Sequence, residues 1–193
     1  MPAIVRLSLP RHRLELDQHF AALTREDLRR RFCHTISLDG VARWLDSHTE
    51  TGVSSYGIFN SDLDLIAVGQ FGAYGGELEV GLSVRSGYRR RGMAAALLFR
   101  AASFARVRAL TAVMIHCLAD NWPMLSLAHR IGMTVQISQG EAAGRLKLRA
   151  GTAVDFWNEI AYDELGIVDS MAKSWQEWFR NHHCPAIQEP ADE

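Results

Sequence analysis

Glu77-Leu-Glu-Val-Gly-Leu-Ser-Val84 runs into Arg85-Ser-Gly-Tyr-Arg-Arg-Arg-Gly92 and then into Met93-Ala-Ala-Ala-Leu-Leu-Phe-Arg100. The first eight residues alternate strictly, which predicts a strand. Leu78, Val80, Leu82 and Val84 share one face, and Glu77, Glu79, Gly81 and Ser83 share the other. Met93 to Arg108 is alanine-rich and predicts a helix. The first N–H groups of a helix have no internal acceptor, and the helix dipole adds partial positive charge there. Gly92 lets the backbone approach a ligand closely. Arg89, Arg90 and Arg91 add positive charge, and Ala94, Ala95 and Ala96 keep the first turn thin. Strand, basic loop and helix together describe an anion site suited to a phosphate or pyrophosphate.

Working outward, Ser55 to Asn60 and Leu65 to Tyr74 are rich in β-branched and aromatic residues. The turn formers Asn60-Ser-Asp-Leu-Asp64 separate them, which predicts a hairpin. Upstream, Ala3 to Leu9 reads as a short strand closed by Pro10. Arg13 to Leu23 reads as a helix with Leu14, Leu16, Phe20 and Leu23 as its apolar positions. Thr24-x-x-Asp27 forms a capping-box pattern that opens a basic turn, Arg25 to Phe32. Ser37 to Asp46 is a further helix by the spacing of Leu38, Val41, Trp44 and Leu45. Downstream, Thr111 to Ala119 is nearly all apolar, as in a strand covered on both faces. Asp120-Asn-Trp-Pro123 opens a helix that ends near Gly132. Thr134 to Ser138 and Arg145 to Arg149 are the last strands, with Gly140 to Gly144 between them. The order implies an α/β chain with a mixed sheet covered by helices.

Residues 1–150 form one domain on this reading, and 151–193 form a separate helical block. Met171, Trp175, Trp178 and Phe179 make one apolar helix face, which must be buried on the domain or at a homodimer contact. The 193 residues are 48% hydrophobic and 22% charged, with a net charge of −1. That composition excludes a mainly disordered chain and argues against nucleic acid as a partner. The longest apolar runs are too short to cross a bilayer, and the N-terminus lacks a signal-peptide layout. Cys33, Cys117 and Cys184 are scattered and odd in number, which argues against a disulfide framework or a structural zinc site. No metal is expected, and a reducing cytoplasm is the expected location. His182-His183-Cys184 lacks a second ligand cluster. His116 reads as a satisfied core histidine, and Arg25, Arg29, Arg30 and Arg31 as a solvated helix face.

The P-loop pattern and the dinucleotide G-x-G-x-x-G turn are both absent. Instead, Arg89-Arg-Arg-Gly92-Met-Ala94 resembles the [QR]-x-x-G-x-[GA] signature of the GCN5-related N-acetyltransferase (GNAT) superfamily, placed directly after an alternating strand. Asn121-Trp-Pro-Met-Leu-Ser-Leu-Ala-His-Arg-Ile-Gly132-Met133 resembles that family's second landmark. Thr24 to Phe32 resembles the acetyltransferase domain of bacterial protein lysine acetyltransferases. The resemblance spans residues 1–150 and is sharpest from Glu77 to Met133.

The resemblance implies a mixed, mostly antiparallel sheet in which two parallel strands, 77–84 and 111–119, splay apart to admit acetyl-CoA. Leu82, Ser83 and Val84 would bond the pantetheine arm. Arg89, Arg90, Arg91, Gly92, Met93 and Ala94 would cradle the pyrophosphate, and Asn121 would contact the pantetheine or anchor the cleft. The reaction it implies is direct attack of a primary amine, from a small molecule or a protein lysine, on the thioester. Keeping a lysine-type amine neutral at pH 7 costs about 4.6 kcal/mol, from a reference pKa of about 10.4. A base is therefore worth having. Glu79 is the candidate, with Glu77 as fallback; Asp62 and Asp64 add negative charge for a cationic acceptor. Many relatives carry a Tyr general acid where this chain has Ala128, with Ser126 and His129 as neighbours. Protonating a thiolate of pKa about 8.5 is worth only roughly 2 kcal/mol at pH 7, so that loss matters less. Two other readings stand beside this one: a non-catalytic acyl-CoA sensor, and a phosphate-ligand binder unrelated to CoA.

Overall fold

A computed structural model describes residues 2–47 and 52–152. The helix expected around Met171–Phe179 and the His182-His183-Cys184 run lie outside the described residues. The chain opens with β1 (Val5–Leu7), α1 (Leu9–Ala21), α2 (Arg25–Phe32) and α3 (Leu38–Ser47). Pro10 does not close a strand. It occupies the first turn of α1, where its missing N–H would have had no helical acceptor anyway. The capping box forms as expected: Asp27 N–H donates to Thr24 Oγ1, and Thr24 N–H donates to the Asp27 carboxylate, both at 3.1 Å.

The hairpin follows as β2 (Ser54–Phe59) and β3 (Leu65–Tyr74). Its turn is built by Asn60, whose side-chain oxygen accepts from the backbone N–H of Asp62 and Asp64. Then come β4 (Glu77–Val84), α4 (Met93–Val107), β5 (Ala112–Leu118), α5 (Trp122–Arg130), β6 (Thr134–Ser138) and β7 (Glu141–Lys147). The last strand starts earlier than the glycines suggest. Gln139 and Gly140 are both left-handed, at φ 51° and 85°, and form a tight hairpin turn. That lets Ala142 pair with Cys117 and become buried.

The seven strands lie in the order β1-β2-β3-β4-β5-β7-β6. Every neighbouring pair is antiparallel except β4 and β5. One face of the sheet packs Leu78, Val80 and Leu82 against Leu97, Leu98 and Ala101 of α4 and Leu127 and Ala128 of α5. The other face packs Leu65 and Val68 beneath Leu16 and Phe20 of α1 and Val41 and Leu45 of α3. Each such aliphatic or aromatic side chain contributes about 1.5–3 kcal/mol by leaving water. Leu14 and Leu38, expected in the core, are 66% and 50% exposed, because both helices turn a narrower apolar face to the sheet than the spacing suggests. β5 is covered less completely than its apolar run implies: Met114 is half-buried and His116 exposed.

Candidate active site

The parallel pair is short. β4 and β5 are in register only at Leu78–Val113 and Glu79–Met114, although β4 continues to Val84 and β5 to Leu118. Beyond Glu79 the strands part. The edge of β4 that carries Leu82, Ser83 and Val84 therefore faces a V-shaped opening. Its far wall ends at Asn121, the N-cap of α5, whose side-chain oxygen accepts from Met124 N–H.

At the wide end of the V stands the basic turn. Gly92 is the N-cap of α4 at φ 83°, a left-handed conformation that suits glycine. A Cβ there would meet no atom of the described residues within 4 Å, so they leave the space in front of the turn open. Ala96 N–H is bonded to the Gly92 carbonyl at 2.9 Å; the N–H groups ahead of it have no intrahelical acceptor. The loop is held from several sides. Arg85 lies 3.6 Å from Asp64, Tyr88 OH accepts from Asn60 Nδ2 at 2.9 Å, and Arg91 stacks over the Tyr88 ring.

Arg89 is spent differently from its neighbours. Its Nε donates to the Val84 carbonyl at 3.0 Å and its Nη2 pairs with Asp27 at 2.7 Å. Burial alone would raise the Asp27 carboxyl, but hydrogen bonds from Arg89 and Thr24 outweigh it and hold the group below the usual carboxylate range. Two residues on, Arg29 pairs with Asp120 at 2.8 Å, beside the N-cap of α5. Helix α2 thus crosses the V as a strap, tied by Asp27 to the β4 side and by Arg29 to the β5 side.

Glu79 is exposed on the α2 face of β4, at the last paired position before the strands diverge. Met114, its register partner, shares that face, and so does His116 by alternation. His116 is exposed rather than a core histidine. Glu77 is committed to an ion pair with Arg145 of β7. Asp62 and Asp64 do not join the carboxylates, because they lie beyond the start of β3, whereas Glu79 pairs with Gly72 near its end. Ala128 is fully buried, and Ser126 and His129 face solvent on α5.

Two features of this face are not evident in the residue patterns. His19 is fully buried, with Nδ1 2.8 Å from the Leu65 carbonyl and Nε2 2.8 Å from Ser83 Oγ. The carbonyl can only accept, so Nδ1 carries the proton and Nε2 accepts from the serine. Burial, helped by Arg85 and Arg31, pushes this imidazole down to about 4. The second feature is Arg31, which is not on a solvated face. Its guanidinium lies on Gly81, where any Cβ would collide with it. It donates to Gln70 Oε1 at 2.7 Å and sits 5.0 and 5.3 Å from the Phe32 and Trp44 ring centroids. Burial pushes it down to about 10. Among the described residues, no group of His, Cys, Asp or Glu could hold a metal ion, and no helix is long and apolar enough to cross a membrane.

The splayed parallel pair thus carries a glycine-capped, arginine-rich helix start at its mouth and a carboxylate at its apex. Residues 6–134 match the family model of the acetyltransferase (GNAT) domain, and the chain belongs to the GNAT family of N-acetyltransferases. Among solved structures, the GNAT domain of S. lividans PAT superposes with a TM-score of 0.65 at 19% identity, covering 75% of this chain and 89% of that one. A phosphinothricin acetyltransferase from Sinorhizobium meliloti, in complex with AcCoA, gives 0.58 at 14% identity, covering 79% and 91%. The paia N-acetyltransferase of Thermoplasma acidophilum, in complex with coenzyme A, gives 0.58 at 15% identity, covering 76% and 99%. No curated protein matches the sequence significantly.

Proposed function

We propose that this chain uses acetyl-CoA to acetylate a primary amine by direct attack, with Glu79 as general base. The observation that supports the reading is the parting of β4 and β5 immediately after Glu79–Met114, with a carboxylate at the apex of the opening, the end this reading gives to the thioester. The residues fit the cosubstrate: an unpaired strand edge for an amide-bearing arm, and a glycine-capped, arginine-flanked helix start for a pyrophosphate.

Acetyl-CoA supplies the acetyl group as an activated thioester. The backbone of Leu82, Ser83 and Val84 bonds the pantetheine arm. Arg90, Arg91 and the N–H groups of Gly92, Met93 and Ala94 hold the pyrophosphate; Arg89 belongs to the same cradle through its backbone, while its side chain fixes the loop to Asp27. Asn121 anchors the opposite wall as the cap of α5. Glu79 takes the ammonium proton, directly or through a water, so that the free amine bonds the carbonyl carbon as the carbon–sulfur bond breaks. The second proton of the attacking nitrogen, acidic once nitrogen has bonded to carbon, passes through water to the departing thiolate, since Ala128 offers none, and leaves the neutral amide and free CoA thiol.

The test is thermal unfolding with saturating acetyl-CoA, followed by thiol release with a panel of amines. A ligand at 100 times its Kd adds about 2.7 kcal/mol, or a Tm rise of roughly 5–10 °C at this size. A shift with thiol release supports the enzyme. A shift with no thiol release from any amine favours the sensor reading, and no shift overturns acetyl-CoA as the ligand.

A further inference from the structure

The face that carries Glu79 also holds a cation that makes no ion pair among the described residues. Arg31 reaches over from α2, and its guanidinium lies flat on Gly81 of β4. Its only hydrogen bond is to Gln70 Oε1, and no carboxylate lies within ion-pair distance of it among the described residues. Arg31 Nε is buried with no hydrogen-bond partner, and so is Gln70 Nε2 beside it. The amide cannot be the other way round, because its nitrogen would then face the guanidinium. Two neighbouring side chains therefore keep donors that nothing among the described residues accepts. Natural interiors seldom leave such groups unmatched, and an exception calls for an explanation. Buried guanidinium groups are ordinarily paired with anions, yet here the hydrogen-bonding and stacking neighbours are an amide and two aromatic rings, with the Cys33 thiol near enough to act on it electrostatically.

Gln70 and Gly81 are register partners across β3 and β4. Gly81 and Glu79 are two residues apart on one face of β4, roughly 6.6 Å at a typical strand rise. Glu79 acts electrostatically on Arg31 but is not bonded to it. A cation and a carboxylate over neighbouring positions of one strand face match a molecule carrying both an amine and a carboxylate. Its ammonium would meet Glu79, and its carboxylate would take the donors of Arg31 and Gln70. A purely cationic acceptor would gain nothing from Arg31 and would be repelled by it. Building on the acetyl-transfer reading above, we infer that Arg31 and Gln70 form an acceptor-carboxylate subsite, and that the amine this enzyme acetylates is a free amino acid or a close amino-carboxylate analogue.

The full chain tests this with matched acceptors differing only in the carboxylate: L-phenylalanine against phenethylamine, L-tyrosine against tyramine, L-lysine against cadaverine, and the remaining amino acids as a set. Thiol release from acetyl-CoA is the readout. At least one amino acid is expected to exceed its decarboxylated partner by tenfold or more in kcat/KM. Arg31→Gln should collapse that ratio toward one, mainly through KM, while the thermal shift with acetyl-CoA persists. Arg31→Lys should restore part of the preference. Decarboxylated amines used as well as the amino acids would overturn the subsite, and so would a chain that binds acetyl-CoA but turns over no amino acid. If Arg31→Gln fails to fold, the wild-type pairs decide alone. Loss of any acetyl-CoA shift in the wild type would instead strike the acetyl-transfer reading itself.

Discussion

Arginine serves opposite purposes in the two halves of the cleft. In the β4–α4 turn the arginines stand on exposed backbone, and one of them, Arg89, is tied to Asp27 and the Val84 carbonyl. On the α2 face, Arg31 is half-buried with its guanidinium against Gly81, and no carboxylate among the described residues pairs with it. The turn is built from consecutive residues, whereas the α2 face gathers Arg31, Gln70 and Glu79 from three elements. The first region is a local device that any CoA-type ligand could use. The second is a tertiary construction, and the proposed choice of acceptor rests on it.

The sharpest way to break this division is at Glu79. Glu79→Gln removes the base but no cavity-filling or ion-paired group, so acetyl-CoA should still raise the Tm. Turnover near pH 7 should fall by about 10²–10⁴-fold, the usual range for a positioned base. The deficit should shrink as pH approaches the amine's own pKa. Unchanged turnover at pH 7 would remove Glu79 from the mechanism and shift attention to His116 on the neighbouring strand.

The two regions also differ in how far they were legible beforehand. Glu77–Val84, the start of α4 at Met93 and the Thr24–Asp27 capping box follow from short-range rules: alternation, helix-start chemistry and side-chain reach. Arg31 and His19 do not. Arg31 sits in a run of three arginines whose other members, Arg29 and Arg30, pair with Glu26 at the surface. Only the register of Gln70 with Gly81 reveals which arginine turns inward. His19 looks like any polar residue of an amphipathic helix until Leu65 and Ser83 are brought beside it by β3 and β4. Pro10 misleads for a local reason, since the same residue can end a strand or begin a helix.

His19 carries the next largest effect, this time on stability. The unfolded chain takes up a proton at this group near 6.5, the folded chain only near 4. Between those values the unfolded state binds more protons, so stability rises with pH. The contribution is complete above about pH 6.5 and is lost as pH falls toward 4. The difference corresponds to about 3 kcal/mol. Urea unfolding at pH 7 and pH 4.5 measures it, with His19→Gln as the control that can keep both hydrogen bonds without titrating. Equal acid losses in the two proteins would show that the α1–β4 contact does not govern acid sensitivity.

Gly92 tests the turn itself. Gly92→Val forces a β-branched residue to φ 83°, a strain of about 1–3 kcal/mol. It also projects a side chain into the open space before α4. The acetyl-CoA thermal shift should largely vanish, while the preference for amino acids over decarboxylated amines, measured at high cosubstrate, should remain. A variant that lost both would show that the two regions are not separable.

The smallest effect concerns the strap that joins them. Asp27 closes the capping box of α2 and also holds Arg89, so one carboxylate serves both the acceptor-side helix and the cosubstrate loop. Thr24→Ala removes only the cap and should cost about 1 kcal/mol. A double-mutant cycle with Asp27→Asn and Arg89→Gln isolates the link across the cleft. The pair is partly exposed, so its coupling should be modest, about 0.2–1 kcal/mol in stability. A larger coupling in acetyl-CoA binding than in stability would mean that closure of α2 over the V accompanies cosubstrate binding. Equal couplings would mean that the strap is already closed in the free enzyme, with the loop and the acceptor face held in place before either substrate arrives.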